Sequence, residues 1–317
     1  MQVTIAPEYL GRFSDALAKL GVGEDERIML AVSGGPDSLA LLLLAHQCAA
    51  GRIIAATIDH QLRPESPVEA DYVGTICQQI NVPHLVLTPA RKIEGNIQSS
   101  ARAARYELLA NAAGAHSCAS IATAHHAGDQ LETLLMRLMR GSGIDGLASI
   151  RTRNGGVVRP LIGFSKLELE EICAAAGIAP VRDPSNDNPD FDRVAVRQWL
   201  ARSNHPFQIA RIARTVRALG DAAEALNWVA GDLAAKRITH ENDVIQCDSA
   251  HLPHDLKRRL LIRCLSQLEP DLRPRGESID RLLTELDAGK TSMIGNILCR
   301  GGTNWTFSVA PARRTDR

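Results

Sequence analysis

The stretch Ile28-Met29-Leu30-Ala31-Val32-Ser33-Gly34-Gly35-Pro36-Asp37-Ser38 decides the fold class. Its first five residues are a short apolar run of buried-strand type, and Leu39 to Cys48 beyond it reads as an apolar helix. A strand, a glycine-rich turn and a helix start together form a phosphate cradle. N–H groups at a helix N-terminus have no intrahelical partner, and the helix dipole adds partial positive charge there. Gly34 and Gly35 let the backbone approach an anion with no Cβ in the way. Ser33 and Ser38 add hydroxyl donors. Asp37 would repel a bare phosphate, but makes sense if a cation such as Mg²⁺ bridges it to one. The plain alternative is a tight strand–helix turn whose glycines serve geometry only. Two serines and a carboxylate crowded into the same turn favour the nucleotide.

The turn is not a Walker A loop, because no Gly-Lys-Ser/Thr follows the first glycine at the required spacing. Gly141-Ser142-Gly143-Ile144-Asp145-Gly146 does fit the G-x-G-x-x-G string. It follows Leu131 to Arg140, which reads as a helix, whereas a dinucleotide fingerprint follows a strand. It is therefore expected to be a loop and not an NAD site. Residues Ser33 to Ser38 instead resemble the S-G-G-x-D-S loop of the PP-loop ATP pyrophosphatases. That resemblance implies cleavage of ATP between the α- and β-phosphates and adenylation of a substrate oxygen.

Working outward, strands are expected at Ile28–Val32, Ile53–Ile58, His84–Leu87 and Ser120–Ala124, with helices between them. The strands lack polar alternation, which suits a sheet buried on both faces. The predicted fold is α/β, a doubly wound parallel sheet of PP-loop type, followed by a smaller, mainly helical C-terminal domain. Ligands of such sheets sit at the carboxyl ends of the strands, where Ser33, Asp59 and His125 all fall. Ser66-Pro67-Val68-Glu69 and Ser165-Lys166-Leu167-Glu168 read as capping boxes, Asn96 as a helix cap, and Gly177 as a helix stop. Arg182 to Asp192 reads as a polar loop. Beyond it, helices are expected at 207–219, 221–236, 250–268 and 277–288, and a short terminal β-hairpin around Gly301-Gly302. The expected domains are 1–204, catalytic, and 205–317, helical and in contact with a nucleic acid.

Composition narrows the classes. The chain has 317 residues, 45% hydrophobic and 23% charged, which is ordinary for a globular enzyme. Its formal net charge is zero, so overall charge does not announce a nucleic-acid partner. The seven cysteines include no C-x-x-C pair, arguing against a zinc ribbon, an iron–sulfur site or a secreted disulfide framework. Met1 to Leu10 lacks a basic start and a long apolar segment, and no apolar stretch is long enough to span a bilayer. A cytoplasmic protein with no membrane contact is expected, and no feature calls for an obligate protein partner.

Ala124-His125-His126-Ala127-Gly128-Asp129-Gln130-Leu131-Glu132-Thr133 follows the fourth strand. Asp129 and Glu132 are three apart, so they share one face of a helix's first turn. Two acids stabilise a helix start in any case. Facing the cradle, they would also hold an ammonium group, orient Mg²⁺ or accept a proton from an attacking amine. His125 and His126 have no third ligand at metal spacing, which argues against zinc. Arg102 and Arg105, one turn apart, are either a solvated basic face or phosphate contacts. From Arg193 to Arg217 come six arginines and no acid, consistent with a nucleic-acid groove or with solvated helix sides. Aromatics are 3% of the chain, so a stacking platform of the RRM type is not expected.

An ordered series now narrows the resemblance: Ser33 to Ser38; Asp59-His60-Gln61-Leu62-Arg63; Asn96, Arg102 and Arg105-Tyr106; Thr123 to Thr133; Arg140 to Gly143; Arg159-Pro160-Leu161; and Asp183-Pro184-Ser185-Asn186. Over about residues 28–200 it resembles the bacterial tRNA(Ile)-lysidine synthases. The resemblance implies a tRNA-modifying ligase. ATP adenylates the C2 carbonyl oxygen of the wobble cytidine in the CAU anticodon of tRNA(Ile), and the ε-amine of free L-lysine displaces AMP. It implies that Ser33, Gly34, Gly35, Pro36, Asp37 and Ser38 hold ATP, with Asp37 on Mg²⁺ through the phosphates and Asp59 near adenosine. Asp129 and Glu132 would serve lysine binding and amine activation, and Arg102, Arg105, Arg193 and Arg197 would approach phosphates or the cytidine. Gln61 stands where that family usually has glycine, and Val194 where it has asparagine. The extra tRNA-binding domain of its longer members is expected to be absent. A tRNA thiolase would want paired cysteines, and a small-molecule amidotransferase would leave the arginine series unexplained. A non-catalytic nucleotide sensor would not need Asp37, Asp129 and Glu132.

Overall fold

Three consecutive apolar residues of the first strand, β1 (Arg27–Ala31), serve two different cores, so the sheet must be covered on both faces. Ile28 and Leu30 pack with α1 (Pro7–Lys19), α2 (Pro36–Cys48), α3 (Ser66–Gln79) and α7 (Lys166–Ala175). Met29 packs on the other side against Leu109 and Ala113 of α4 (Ile97–Ala115). In the computed structural model the described residues are 4–59, 61, 66–89, 97–148, 150–181, 192–203, 205 and 207–310, without the side chains of 97–102. The expectations placed on His60, Leu62, Arg63 and Asn96, on the polar loop through Asp183–Asn186, and on the side chain of Arg102 lie outside the described residues.

Contacts divide the chain into two units, 1–218 and 219–317. The first holds a six-stranded sheet in the order β3 (His84–Leu87), β2 (Ile53–Ile58), β1, β4 (Cys118–Ala122), β6 (Val157–Val158), β5 (Arg153–Asn154). Only the edge strand β5 runs antiparallel to its neighbour. The chain moves outward from β1 to β3 and then returns to place β4 on the other side of β1. The switch point between β1 and β4 is where open α/β sheets bind ligands. The expected α/β sheet and its four predicted strands are present: β2 and β3 have the predicted bounds, and β1 and β4 begin and end one and two residues earlier, respectively.

The second unit departs from expectation. It is not mainly helical: it carries a five-stranded antiparallel sheet in the order β7 (Ile238–Glu241), β8 (Val244–Asp248), β11 (Asn304–Val309), β10 (Ile297–Arg300), β9 (Thr291–Ile294). Helices α10 (His254–Leu268) and α11 (Gly276–Asp287) cover it, and Trp305, Phe307, Leu260, Leu261, Leu282 and Leu283 fill the core between. The unexpected hairpin β7–β8 turns at Asn242-Asp243, both at positive φ. Short polar side chains tolerate that region, and a two-residue turn of this kind matches strand twist. The two helices expected at 207–219 and 221–236 are one, α9 (Ile209–Arg237), running through Gly220. A lone glycine costs a helix only about 1 kcal/mol. Val216, Ala223 and Ala230, seven apart and buried, carry the apolar stripe across it.

The seven cysteines are free thiols, and burial pushes Cys77 and Cys299 up to about 12. Among the described residues no helix is long and apolar enough to cross a membrane. Two glycines test the packing in opposite directions. A Cβ on Gly301 would lie 2.2 Å from the carbonyl oxygen of Leu286, which is backbone and does not yield, whereas a Cβ on Gly11 in α1 meets nothing within 4 Å. Gly301→Ala should therefore lower stability by about 1–3 kcal/mol or more, and Gly11→Ala should raise it by about 0.5–1 kcal/mol. Denaturant midpoints of the two variants check both signs.

Candidate functional site

The cradle after β1 is held from beneath and tied within itself. Gly34 takes φ +82, a region costly for any residue with a Cβ, and its carbonyl accepts the Val181 N–H at 3.0 Å. The Ser38 hydroxyl accepts the Ser33 N–H at 3.0 Å and donates to the Gly35 carbonyl at 2.9 Å, while Ser33 Oγ lies 3.3 Å away. Gly35 is the N-cap of α2, Pro36 follows, and no side chain caps the helix. The opening of α2 thus keeps its dipole end for an anion.

Asp37, in the first turn of α2, receives Lys166. The ammonium donates to both carboxylate oxygens, at 2.7 and 2.9 Å. Lys166 is the first residue of α7, and its place is set by the capping box predicted there. Ser165 Oγ accepts the Glu168 N–H, and Glu168 accepts the Ser165 N–H at 2.6 Å. Arg12 of α1 donates to Glu168 at 2.5 Å and to the Gly163 carbonyl at 2.9 Å, and lies over the Phe164 ring. Burial works against the charge of Glu168, but the bonds from Arg12 and Ser165 outweigh it and hold its carboxyl below the usual range. Gly177, at φ +65, ends α7 as expected.

Across the switch point, β4 ends and α5 (Ala127–Met139) begins. His126 is its N-cap. Its Nδ1 accepts the Gly128 N–H at 3.0 Å, and its backbone N–H donates to Asp129 at 2.8 Å. Because Nδ1 accepts, the neutral ring carries its proton on Nε2, which lies 3.9 Å from Asp37 and 3.7 Å from Asp129. A Cβ on Gly128 would lie 2.7 Å from the ring, so glycine is what seats it. The buried imidazole therefore stands between Asp37 of the cradle and Asp129 of α5, within 4 Å of each.

Those acids meet arginines of α8 (Asp192–Arg202). Arg193 bonds Asp129 through one terminal nitrogen and donates Nε to Glu132 at 2.8 Å. Arg197 donates to both oxygens of the same glutamate, at 2.7 and 3.0 Å. Hydrogen bonding to Glu132 raises the Arg197 pKa further, so this guanidinium stays charged. Burial works against the charge of Asp129; His126, Arg193 and the backbone bond outweigh it and hold the carboxyl below its ordinary range.

Asp37, Asp129, Glu132, Arg193 and Arg197, singled out from sequence, are thus joined with His126 and Lys166 into one charged network. Asp59 stands buried at the end of β2, accepting the Gln61 N–H at 2.8 Å. Gln61 has φ +53, a conformation that favours glycine, the residue the family resemblance leads one to expect there. Val194 is buried in α8. Arg105 is exposed on α4. Gly141–Gly146 follows a helix, as expected, but it is a loop only at its start: Gly143 caps the short helix α6 (Ile144–Leu147), so Ile144, Asp145 and Gly146 are helical. The sequence reading missed Lys166 and the linking role of His126. A lysine in the first turn of a helix works against the dipole, and that anomaly was the available signal for Lys166.

A parallel sheet with a glycine–serine cradle on one side of its switch point and acids on the other defines an ATP-binding enzyme of the PP-loop class. The family model described as the PP-loop domain matches residues 9–204. The U34-tRNA thiolase of Methanococcus maripaludis shares the fold, at TM-score 0.54 and 15% identity over 67% of this chain and 79% of that one. Identity is far higher to the tRNA(Ile)-lysidine synthase of Zymomonas mobilis, 41% over 91% of this chain and 90% of that one. That of Novosphingobium aromaticivorans is 37% identical over 92% and 91%. The chain belongs to the tRNA(Ile)-lysidine synthase family of ATP-dependent ligases.

The depressed Asp129 pKa fixes a sign. Its contribution to stability is complete above the carboxyl's unfolded value and is lost as pH falls through the lower folded value. The stability gap between the wild type and Asp129→Asn should therefore shrink as the pH falls below about 4. Denaturant unfolding from about pH 5 to 3 checks it; a gap that widens below about pH 4 would reverse the assignment.

Proposed function

We propose that the network around the switch point makes lysidine at the wobble cytidine of tRNA(Ile) in two steps, with the roles assigned here. The observation that carries the reading is the facing of the cradle, through His126, by two carboxylates gripped by two arginines. ATP lies with its phosphates on Ser33 to Ser38 and its adenosine toward Asp59. Asp37 fits Mg²⁺, which takes one or two carboxylates together with substrate phosphates. When bound, the ion neutralises charge on the departing pyrophosphate. Lys166, now on Asp37, turns to the phosphates and supplies the cation that the loop itself lacks.

In the first step O2 of the cytidine attacks the α-phosphorus. The new O–P bond forms as the α–β anhydride breaks, and pyrophosphate leaves. Arg193 and Arg197 stabilise the developing negative charge and orient the base, and Arg102 and Arg105 approach RNA phosphates. In the second step the lysine amine adds to C2, the C2–O2 bond breaks, and AMP departs with its electron pair. Asp129 and Glu132 hold the ε-ammonium and take up the proton it must lose. The depressed pKa of Asp129 suits the holding more than the proton transfer. The CAU-anticodon tRNA(Ile), free L-lysine and ATP meet in the bacterial cytoplasm. Residues 1–204 serve as the catalytic part, and 205–317 contact the tRNA.

ATP should yield AMP and pyrophosphate only when lysine and CAU-anticodon tRNA are both present, and nucleoside digests should then contain lysidine. Pyrophosphate release indifferent to tRNA would overturn the reading. Asp37→Ala and Asp129→Ala should fold yet form no lysidine. Lys166→Ala should lose about 100-fold in kcat, the scale of one preorganised charge on a transition state.

A further inference from the structure

Trp199 is 52% exposed on α8, the helix whose other side carries Arg193 and Arg197. Helical steps of about 100° put Arg193 and Arg197 on one side. The same steps put Ala195, Gln198, Trp199 and Arg202 on the opposite side, about one helix diameter, ~10–12 Å, away. With Ser203 these four line an open cleft of about 400 Å³. Tryptophan rarely stands so exposed without a use, since its large ring prefers a core or an interface. Of the other two tryptophans, Trp305 is fully buried and Trp228, though 75% exposed, does not line this cleft, so it is exposure together with the cleft that singles out Trp199.

The occupant follows from charge and position. Between Arg193 and Gly220 there is no acidic residue, and Arg202, Arg211, Arg214 and Arg217 are exposed. A flat aromatic face beside a guanidinium, in an acid-free stretch, matches a nucleobase with its phosphate better than a peptide or a lipid. Bases of a single-stranded loop can splay out and stack on such a ring, and arginine meets the phosphate. The wobble cytidine is assigned to the inner side of α8, so a base on the outer side belongs to an adjoining nucleotide of the same loop. We propose, resting on the tRNA reading above, that Trp199 and Arg202 form a stacking subsite for an anticodon-loop base neighbouring the reacting cytidine. One helix would then straddle two nucleotides, reacting with one and gripping the other.

The probe is an anticodon stem-loop RNA with the CAU anticodon, titrated against the full chain. RNA should quench part of the tryptophan emission of the wild type, and Trp199→Phe should lack that part while binding within about threefold of the wild type. Trp199→Ala should raise Kd about tenfold, the scale of one lost base stack. Arg202→Gln should lower the slope of log affinity against log salt by about one, with its deficit greatest at low salt. Trp199→Ala binding within about twofold of the wild type overturns the proposal. So does a quench that Trp199→Phe retains in full, or sedimentation showing a dimer that Trp199→Ala breaks. Should Trp199→Ala fail to fold, the comparison of wild type with Trp199→Phe decides. A wild type that makes no lysidine sinks the functional reading and this subsite together. A wild type that makes lysidine, with Trp199→Ala binding unimpaired, sinks the subsite alone.

Discussion

Burial of α2 on every side is the constraint on which the site depends. Leu39 through Ala45 are all at zero exposure, enclosed by the sheet, α1, α3 and α7. Each fully buried leucine contributes roughly 1.5–3 kcal/mol, and a helix apolar all round has no face it can turn to solvent. Its axis therefore cannot roll or slide without exposing leucine somewhere. Because the axis is fixed, so is its N-terminus, and the cradle inherits that rigidity. A phosphate site made of backbone N–H groups needs this more than one made of long side chains, since backbone donors cannot reach to correct an error of an ångström.

The charged network on the other side of the switch point obeys a different rule. Glu132 is buried, and removing a carboxylate from water is costly unless its oxygens are matched by donors. Arg193 and Arg197 match them with three hydrogen bonds. Both guanidinia remain partly exposed, at 34% and 44%, so each keeps a route to an incoming anion. A pair buried at both ends would be a structural tie. Here one end is buried and the other half-open, an arrangement that holds the acid in place while leaving the cation free to change partners. Lys166 on Asp37 has the same character, with the lysine the more exposed of the two.

The core of the α/β sheet was legible because its signals are local: an apolar run ending in glycines, a capping box at Ser165, a helix stop at Gly177. The pairing of Asp129 with Glu132 was legible from helical spacing, and Arg193 and Arg197 from the family resemblance. What was not legible depends on contacts distant in sequence. Lys166 meets Asp37 across 129 positions, and the Arg12–Glu168 tie between α1 and α7, which holds the capping box in place, joins residues 156 positions apart. The C-terminal sheet was missed for another reason. Ile245 and Cys247 alternate with polar residues over only five positions, and Asn242-Asp243 is a weaker turn signal than Asn-Gly. The break assumed at Gly220 overrated one glycine against an apolar stripe that continues on both sides of it.

His126 shows how the two halves of the site are made to agree. The cradle and the acids lie on separate helices after separate strands, so nothing in either segment alone fixes their spacing. The imidazole is held by the backbone of its own helix through Nδ1 and directs Nε2 between Asp37 and Asp129. A proton on that nitrogen attracts both carboxylates, and so offsets the repulsion that two partly buried acids on facing helix starts would otherwise feel. The ring reaches this position only because residue 128 has no side chain. The glycine in His-His-Ala-Gly-Asp, easily read as loop filler, is thus a condition for bringing the phosphate-binding and amine-binding halves together.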